Sequence, residues 1–109
     1  MICGVGCDIV EIQRFIKNQE QIANRILSEQ ELIQYFNIPE KRRLEYLAGR
    51  FAAKEAIFKS LPKEYPFNTL VIEEKNKKLF CKVEAYFIYL SISHEKEYAI
   101  AYATCIEVL

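Results

Sequence analysis

Only three glycines, three prolines and a single histidine occur among the 109 residues. Glycine and proline this sparse leave little material for flexible linkers. With no internal repeat or low-complexity tract visible, the sequence reads as one domain, residues 1–109, around one core. Net charge is also lacking, since Lys+Arg and Asp+Glu both number 15. That excludes a bulk electrostatic grip on nucleic acid or on a membrane surface and leaves only local basic patches. No apolar run reaches the length of a membrane span. The opening run, residues 2–10, is interrupted by Asp8 and has no basic residue ahead of it, unlike a secretory signal. There is no C-x-x-C pair to hold zinc: Cys3 and Cys7 are too near each other to close a useful loop, and Cys81 and Cys105 lie in apolar strand-like runs. Buried, reduced thiols and a cytoplasmic location are the expectation.

What is present is enough apolar material for a globule, 51% hydrophobic against 28% charged. Residues 1–7 read as a strand, with Cys3, Val5 and Cys7 on one face and Gly4, Gly6 and Asp8 on the other. Asp8 is expected to open a helix reaching about Asn18. Ser28-Glu29-Gln30-Glu31 has the form of a capping box before a short helix, which Asn37-Ile38-Pro39 breaks. A longer helix is expected over residues 40–60, limited by Pro62. After it the period changes to two. Residues 69–73 and 79–83 read as strands around a polar turn at 75–78, and residues 87–93 and 98–108 as two more around 94–97. The fold class is α+β: an N-terminal strand and helices, then an antiparallel meander.

Three segments carry residues suited to chemistry. In Gly4-Val5-Gly6-Cys7-Asp8, glycines on one strand face mark close approach of something to the backbone. A carboxylate ending that face suits a metal beside a phosphate, although Asp8 with Glu11 also fits a helix cap. In the long helix, Ala48, Ala52, Glu55 and Lys59 form a stripe beside the apolar one, with room for a ligand over the alanines. The simpler account of Glu55 and Lys59 is an exposed i,i+4 ion pair worth about 0.3–0.5 kcal/mol. In Leu90-Ser91-Ile92-Ser93-His94, the histidine stands next to hydroxyls where a strand turns back, which suits a phosphate oxygen. A solvated loop histidine is the plain alternative. The basic residues are local: Arg14 and Lys17, then Arg25, then Lys41-Arg42-Arg43. Such runs are ordinarily solvated faces unless an acidic partner docks there.

Together these segments resemble the holo-acyl-carrier-protein synthase family, the small trimeric group of 4'-phosphopantetheinyl transferases. The stretches that carry the resemblance are Gly4-Val5-Gly6-Cys7-Asp8-Ile9-Val10-Glu11, Leu27-Ser28-Glu29-Gln30-Glu31, Leu47-Ala48-Gly49-Arg50-Phe51-Ala52-Ala53-Lys54-Glu55-Ala56 and Ser91-Ile92-Ser93-His94-Glu95-Lys96-Glu97-Tyr98-Ala99. They stand in the family's order and run nearly end to end. The resemblance implies a homotrimer with each active site between neighbouring subunits. It implies transfer of the 4'-phosphopantetheine moiety of coenzyme A to a serine of an apo-acyl carrier protein, in support of fatty acid biosynthesis. Asp8 and Glu55 match the family's carboxylates for Mg2+, with Lys59 catalytic as well. Lys59 and His94 match positions that contact the coenzyme's phosphates, and Lys54 lies nearby. Arg14, Lys17 and Arg25 are the implied dock for an acidic carrier. The base for the serine is Glu55, Asp8 or a metal-bound water.

Two stretches depart from the pattern. The family's Gly-Thr-Gly-Ile after the long helix is replaced by Leu61-Pro62-Lys63-Glu64-Tyr65-Pro66-Phe67, and its Asn-Gly-Lys-Pro turn by Asn76-Lys77-Lys78-Leu79. Backbone follows a phosphate or base most easily through glycine, so the adenosine end of the pocket has to be built differently. The rival readings are a non-catalytic module of the same fold that binds a carrier protein or nucleotide, and a purely structural trimeric domain.

Overall fold

The first strand, β1, runs Ile2–Glu11 in the computed structural model, which describes residues 1–108; Leu109, the last position of the expected domain, lies outside the described residues. The helix expected to open at Asp8 does not form. Period-two alternation persists instead, with Ile9 60% exposed and Val10 3% exposed, because residues through Glu11 pair with the last strand. That pairing satisfies the backbone, so Asp8 sits within a strand and the Asp8–Glu11 capping box is absent. Helical structure starts with a 3-10 turn, Ile12–Phe15, and then α1, Gln19–Ile26, which the sequence reading did not anticipate.

The next helix, α2 (Glu29–Asn37), carries the expected capping box: Ser28 Oγ accepts the Glu31 N–H at 3.2 Å, and the Glu31 carboxylate accepts the Ser28 N–H at 2.9 Å. The long helix α3 spans Glu40–Ser60 as the pattern predicts. A 3-10 turn, Phe67–Thr69, then stands where a strand from Thr69 was expected, because Leu70 and Ile72 both turn into the core. The strands are β2 (Glu73–Lys75), β3 (Lys78–Val83), β4 (Tyr86–His94) and β5 (Tyr98–Glu107). They form one antiparallel sheet in the order β1-β5-β4-β3-β2, which gives the α+β architecture. At the β2–β3 turn Asn76 and Lys77 have φ of 53° and 63°, the mirror-image hairpin geometry that normally favours Asn-Gly.

One face of the sheet carries α3, and small side chains on both sides make the contact close. β5 presents Ala99, Ala101, Ala103 and Cys105, and α3 answers with Ala48, Ala52, Ala53 and Ala56, all buried. The approach to β1 is closer still. A Cβ added to Gly4 would lie 2.0 Å from the Ser60 carbonyl oxygen, and one added to Gly6 would lie 2.0 Å from that of Ala56. The glycines therefore do mark a close approach, but the approaching group is helix backbone and not a ligand. The other face, with Val5, Ile9, Tyr89, Ile100 and Tyr102, is exposed. Cys81 and Cys105 are buried as expected, whereas Cys3 and Cys7 are exposed.

A second feature ties the helices to the sheet. Lys54, fully buried on α3, donates to Glu31 Oε1 at 2.5 Å, to the Ile26 carbonyl at 2.7 Å and to the Phe67 carbonyl at 3.0 Å. The other Glu31 oxygen accepts the Ile72 N–H at 2.8 Å. One ion pair thus joins the end of α1, the start of α2, the middle of α3 and the 67–72 segment, and it uses all three ammonium donors. Burial holds the Lys54 ammonium below its ordinary pKa, with the Glu31 charge opposing that shift. The sequence reading set Lys54 near phosphate; its charge is instead spent inside the fold.

Two outcomes follow. Gly6→Ala should cost about 1–3 kcal/mol in urea denaturation, since a backbone oxygen cannot rotate aside. Lys54→Met should cost about 3–5 kcal/mol by leaving a buried carboxylate without its cation; a loss below about 1 kcal/mol would mean that water reaches the pair.

Candidate active site

The β1–α3 contact that requires Gly6 also sets what lies beside it. Gly6 meets the Ala56 carbonyl and the Lys59 Cβ, and Asp8 is the next residue on the same strand face. Lys59 reaches along that face, donating to the Cys7 carbonyl at 3.0 Å and to Asp8 Oδ1 at 3.3 Å. The Asp8 side chain is 17% exposed and that of Lys59 is 49% exposed, so the pair sits at the rim of the contact. Glu55 stands one helical turn before Lys59 on the same stripe. It is half-buried and takes part in none of the ion pairs among the described residues. The i,i+4 Glu55–Lys59 bridge considered from sequence does not form, because Lys59 turns to Asp8.

This donor set has a definite metal preference. No group of three His, Cys, Asp or Glu side chains converges among the described residues, so no cation is caged by protein alone. Two partly buried carboxylates near a lysine fit a hard divalent ion such as Mg2+, which keeps waters and completes its shell with phosphate oxygens.

His94 ends β4 opposite Ala99 and belongs to a different cluster. Its Nδ1 lies 3.7 Å from Glu45 Oε2. It lines a cavity of about 170 Å³ with Arg42, Glu45, Tyr46 and Arg50. The Arg50 guanidinium stacks 4.5 Å from the Tyr46 ring centre, and its buried Nε has no hydrogen-bond partner among the described residues. An unpaired buried guanidinium donor, a second arginine and an imidazole on one cavity are suited to an anion with several oxygens. In the sequence alone Arg42 is part of a charge run and Arg50 carries no assigned role. The signal was available in the spacing: Arg42, Glu45, Tyr46 and Gly49 recur at helical intervals on one face of α3. This cavity lies roughly 15 Å along α3 from the Glu55–Lys59 turn, at 1.5 Å per residue. A single chain therefore brings Asp8 and Lys59 together beside Glu55 and leaves His94 apart.

The three cations read as a docking surface are all exposed. Arg14 lies within the first 3-10 turn, its guanidinium 5.4 Å from the Phe51 ring centre. Arg25, in the last turn of α1, lines an open groove of about 380 Å³ with Phe51, Pro66 and Phe67. Arg14 and Arg25 thus flank one aromatic residue, and Lys17 lies in the turn between their elements.

The segment that replaces the glycine-rich stretch is held by side chains. Tyr65 donates to Glu84 at 2.6 Å and Lys63 lies 3.1 Å from the same carboxylate, which ties residues 63–65 to the β3–β4 turn. Those two hydrogen bonds hold the Glu84 carboxyl below its usual range. Phe67 packs edge-on against Phe51 and Phe58.

Known proteins resemble this chain over nearly its whole length. Residues 4–103 match the family model described as the 4'-phosphopantetheinyl transferase superfamily. The chain is 41% identical over 112 residues to the holo-[acyl-carrier-protein] synthase of Bacillus subtilis (strain 168), covering 93% of each chain. It is 47% identical over 105 residues to that of Mycoplasma capricolum subsp. capricolum, covering 94% of each. Among solved structures, the holo-(acyl-carrier-protein) synthase of Bacillus anthracis str. Ames in complex with CoA (3',5'-ADP) superposes with a TM-score of 0.86 at 34% identity, over 100% of this chain and 99% of that one. With the fold, the motif order and nearly the whole length in agreement, the chain belongs to the 4'-phosphopantetheinyl transferase superfamily.

Proposed function

We propose that this protein is a Mg2+-dependent holo-acyl-carrier-protein synthase that works in the cytoplasm as a homotrimer. It transfers the 4'-phosphopantetheine arm of coenzyme A to a serine of an apo-acyl carrier protein and leaves adenosine 3',5'-bisphosphate. The observation that carries the reading is a near-full-length family match combined with Asp8, Lys59 and Glu55 along one β1–α3 contact.

Reactions of this type are catalysed mainly by alignment and by compensation of charge. Asp8 and Glu55 would hold the metal, which when bound neutralises charge on the pyrophosphate and on the departing oxygen. Lys59, already leaning on Asp8, keeps that carboxylate oriented and offers its remaining donor to a phosphate oxygen. The serine hydroxyl attacks the pantetheine-side phosphorus, and its proton passes to a carboxylate of this pair or to water. Arg42, Arg50 and His94 would take the nucleotide's phosphate and so supply binding that the missing glycines do not. Arg14, Lys17 and Arg25 would receive the acidic carrier, with Phe51 between the two arginines as an apolar contact.

Two features favour a homotrimer. The His94 cavity and the Asp8–Glu55 rim lie apart in one chain, so a complete site requires a neighbour's contribution. The outer sheet face also leaves Val5 53%, Ile9 60%, Tyr89 54% and Tyr102 49% exposed, an apolar patch that a partner copy would cover. All four cysteines are free, as a reducing compartment would leave them. No helix is long and apolar enough to cross a membrane among the described residues.

Intact-mass analysis of an apo-acyl carrier protein incubated with this chain, coenzyme A and Mg2+ should show the gain of one phosphopantetheine arm. Chelator should abolish the gain, and Glu55→Ala should slow it by about 10²-fold or more, the scale of losing one group that stabilises transition-state charge. Folded protein that leaves several carriers unmodified would replace the enzyme by a binding module. Sedimentation should give three times the monomer mass, and Ile100→Glu on the outer face should shift it to monomer and depress activity with it.

A further inference from the structure

Cys3 sits at the one irregularity in the β1–β5 ladder, between the pairs Ile2↔Ile106 and Gly4↔Cys105. The bulge frees Cys3 from strict pairing and re-aims its side chain. Its thiol meets Cys105, with the two Sγ atoms 3.1 Å apart and the Cys3 Sγ 3.4 Å from the Cys105 carbonyl oxygen. Cys3 is exposed, whereas Cys105 is fully buried. One thiol is therefore open to reagents in solution and the other touches it from inside. We infer that Cys3 and Cys105 form a redox-active pair that closes into an intramolecular disulfide when the protein meets a low-molecular-weight disulfide.

The exchange balances without any other reactant. The Cys3 thiolate attacks one sulfur of the reagent, forming a mixed disulfide and expelling one thiol. Cys105 then gives up its proton and attacks the Cys3 sulfur, expelling the second thiol. The two cysteines together lose two electrons, the reagent gains two, and both protons end on the released thiols. A disulfide is about 2.05 Å long, so the sulfurs must approach by about 1 Å, a movement within reach of side-chain torsions. Burial, and then the hydrogen bond from Cys3, push the Cys105 thiol up to about 12. Cys105 is thereby unreactive toward outside reagents and reacts only through the neighbour it touches. Cys81, buried on β3, serves as the internal reference that should stay unmodified.

The test exposes the native full-length protein to glutathione disulfide, traps remaining thiols by alkylation, and combines intact mass with peptide mapping under non-reducing conditions. The expected result is the loss of two hydrogens and a cross-linked peptide joining Cys3 to Cys105. Dithiothreitol should reverse it, and Cys3→Ser should abolish it while leaving any adduct at Cys7. A stable glutathione adduct on Cys3 with no cross-link would overturn the proposal, and so would a Cys3 that stays unmodified after prolonged exposure to excess glutathione disulfide. The contact between the thiols would then be packing alone.

Discussion

The rest of the molecule depends on α3 resting directly on the backbone of β1. Where most helix–sheet contacts keep side chains between the elements, here Gly4 and Gly6 let carbonyl oxygens of the helix approach the strand, and the alanines of β5 extend the same closeness sideways. The helix cannot slide or lift by even one methyl group without leaving a void or a clash. That rigidity fixes Asp8 on the strand relative to Lys59 and Glu55 on the helix, the fine tolerance that the proposed phosphoryl-transfer site would need.

The buried Lys54–Glu31 pair extends the constraint to the irregular parts. Residues 61–72 contain only one turn of helix and lack the glycines usual there. They are nevertheless fastened at the Phe67 carbonyl, the Ile72 N–H and the Tyr65–Glu84 contact. The exposed anchor is weak by nature. The buried one is not, since removing either partner strands the other away from water. The path of this segment is held by side-chain bonds.

The parts of the fold legible in the sequence were those governed by strong periodicity or by an explicit stop. The 40–60 helix, the Ser28–Glu31 capping box and the last strands fall into this group. Asp8 misled because a carboxylate followed by glutamate three residues later is also a helix start. Only the pairing partner on β5, about ninety residues away, decides for strand. Residues 70–72 misled because alternating apolar residues read the same whether they face a sheet neighbour or plunge into a core. Of the residues proposed for the site, Asp8, Glu55, Lys59 and His94 are all visible as residue types. Sequence could not tell that Lys54, adjacent to Glu55, points inward to a different task, because one step along a helix turns a side chain by about 100°.

The pairing of β1 with β5 also has a consequence for synthesis. Within this sequence β1 is made before every other element, yet among the described residues the strand it pairs with, β5, is the last of them. α3 can coil as soon as it is clear of the exit tunnel, but the strand surface on which it must lie is completed only after residues 98–107 are available. The local helices can therefore assemble early, while the long-range closure that brings Asp8 to Lys59 comes last. A chain that stops before β5 would leave β1 without the strand that pairs with it.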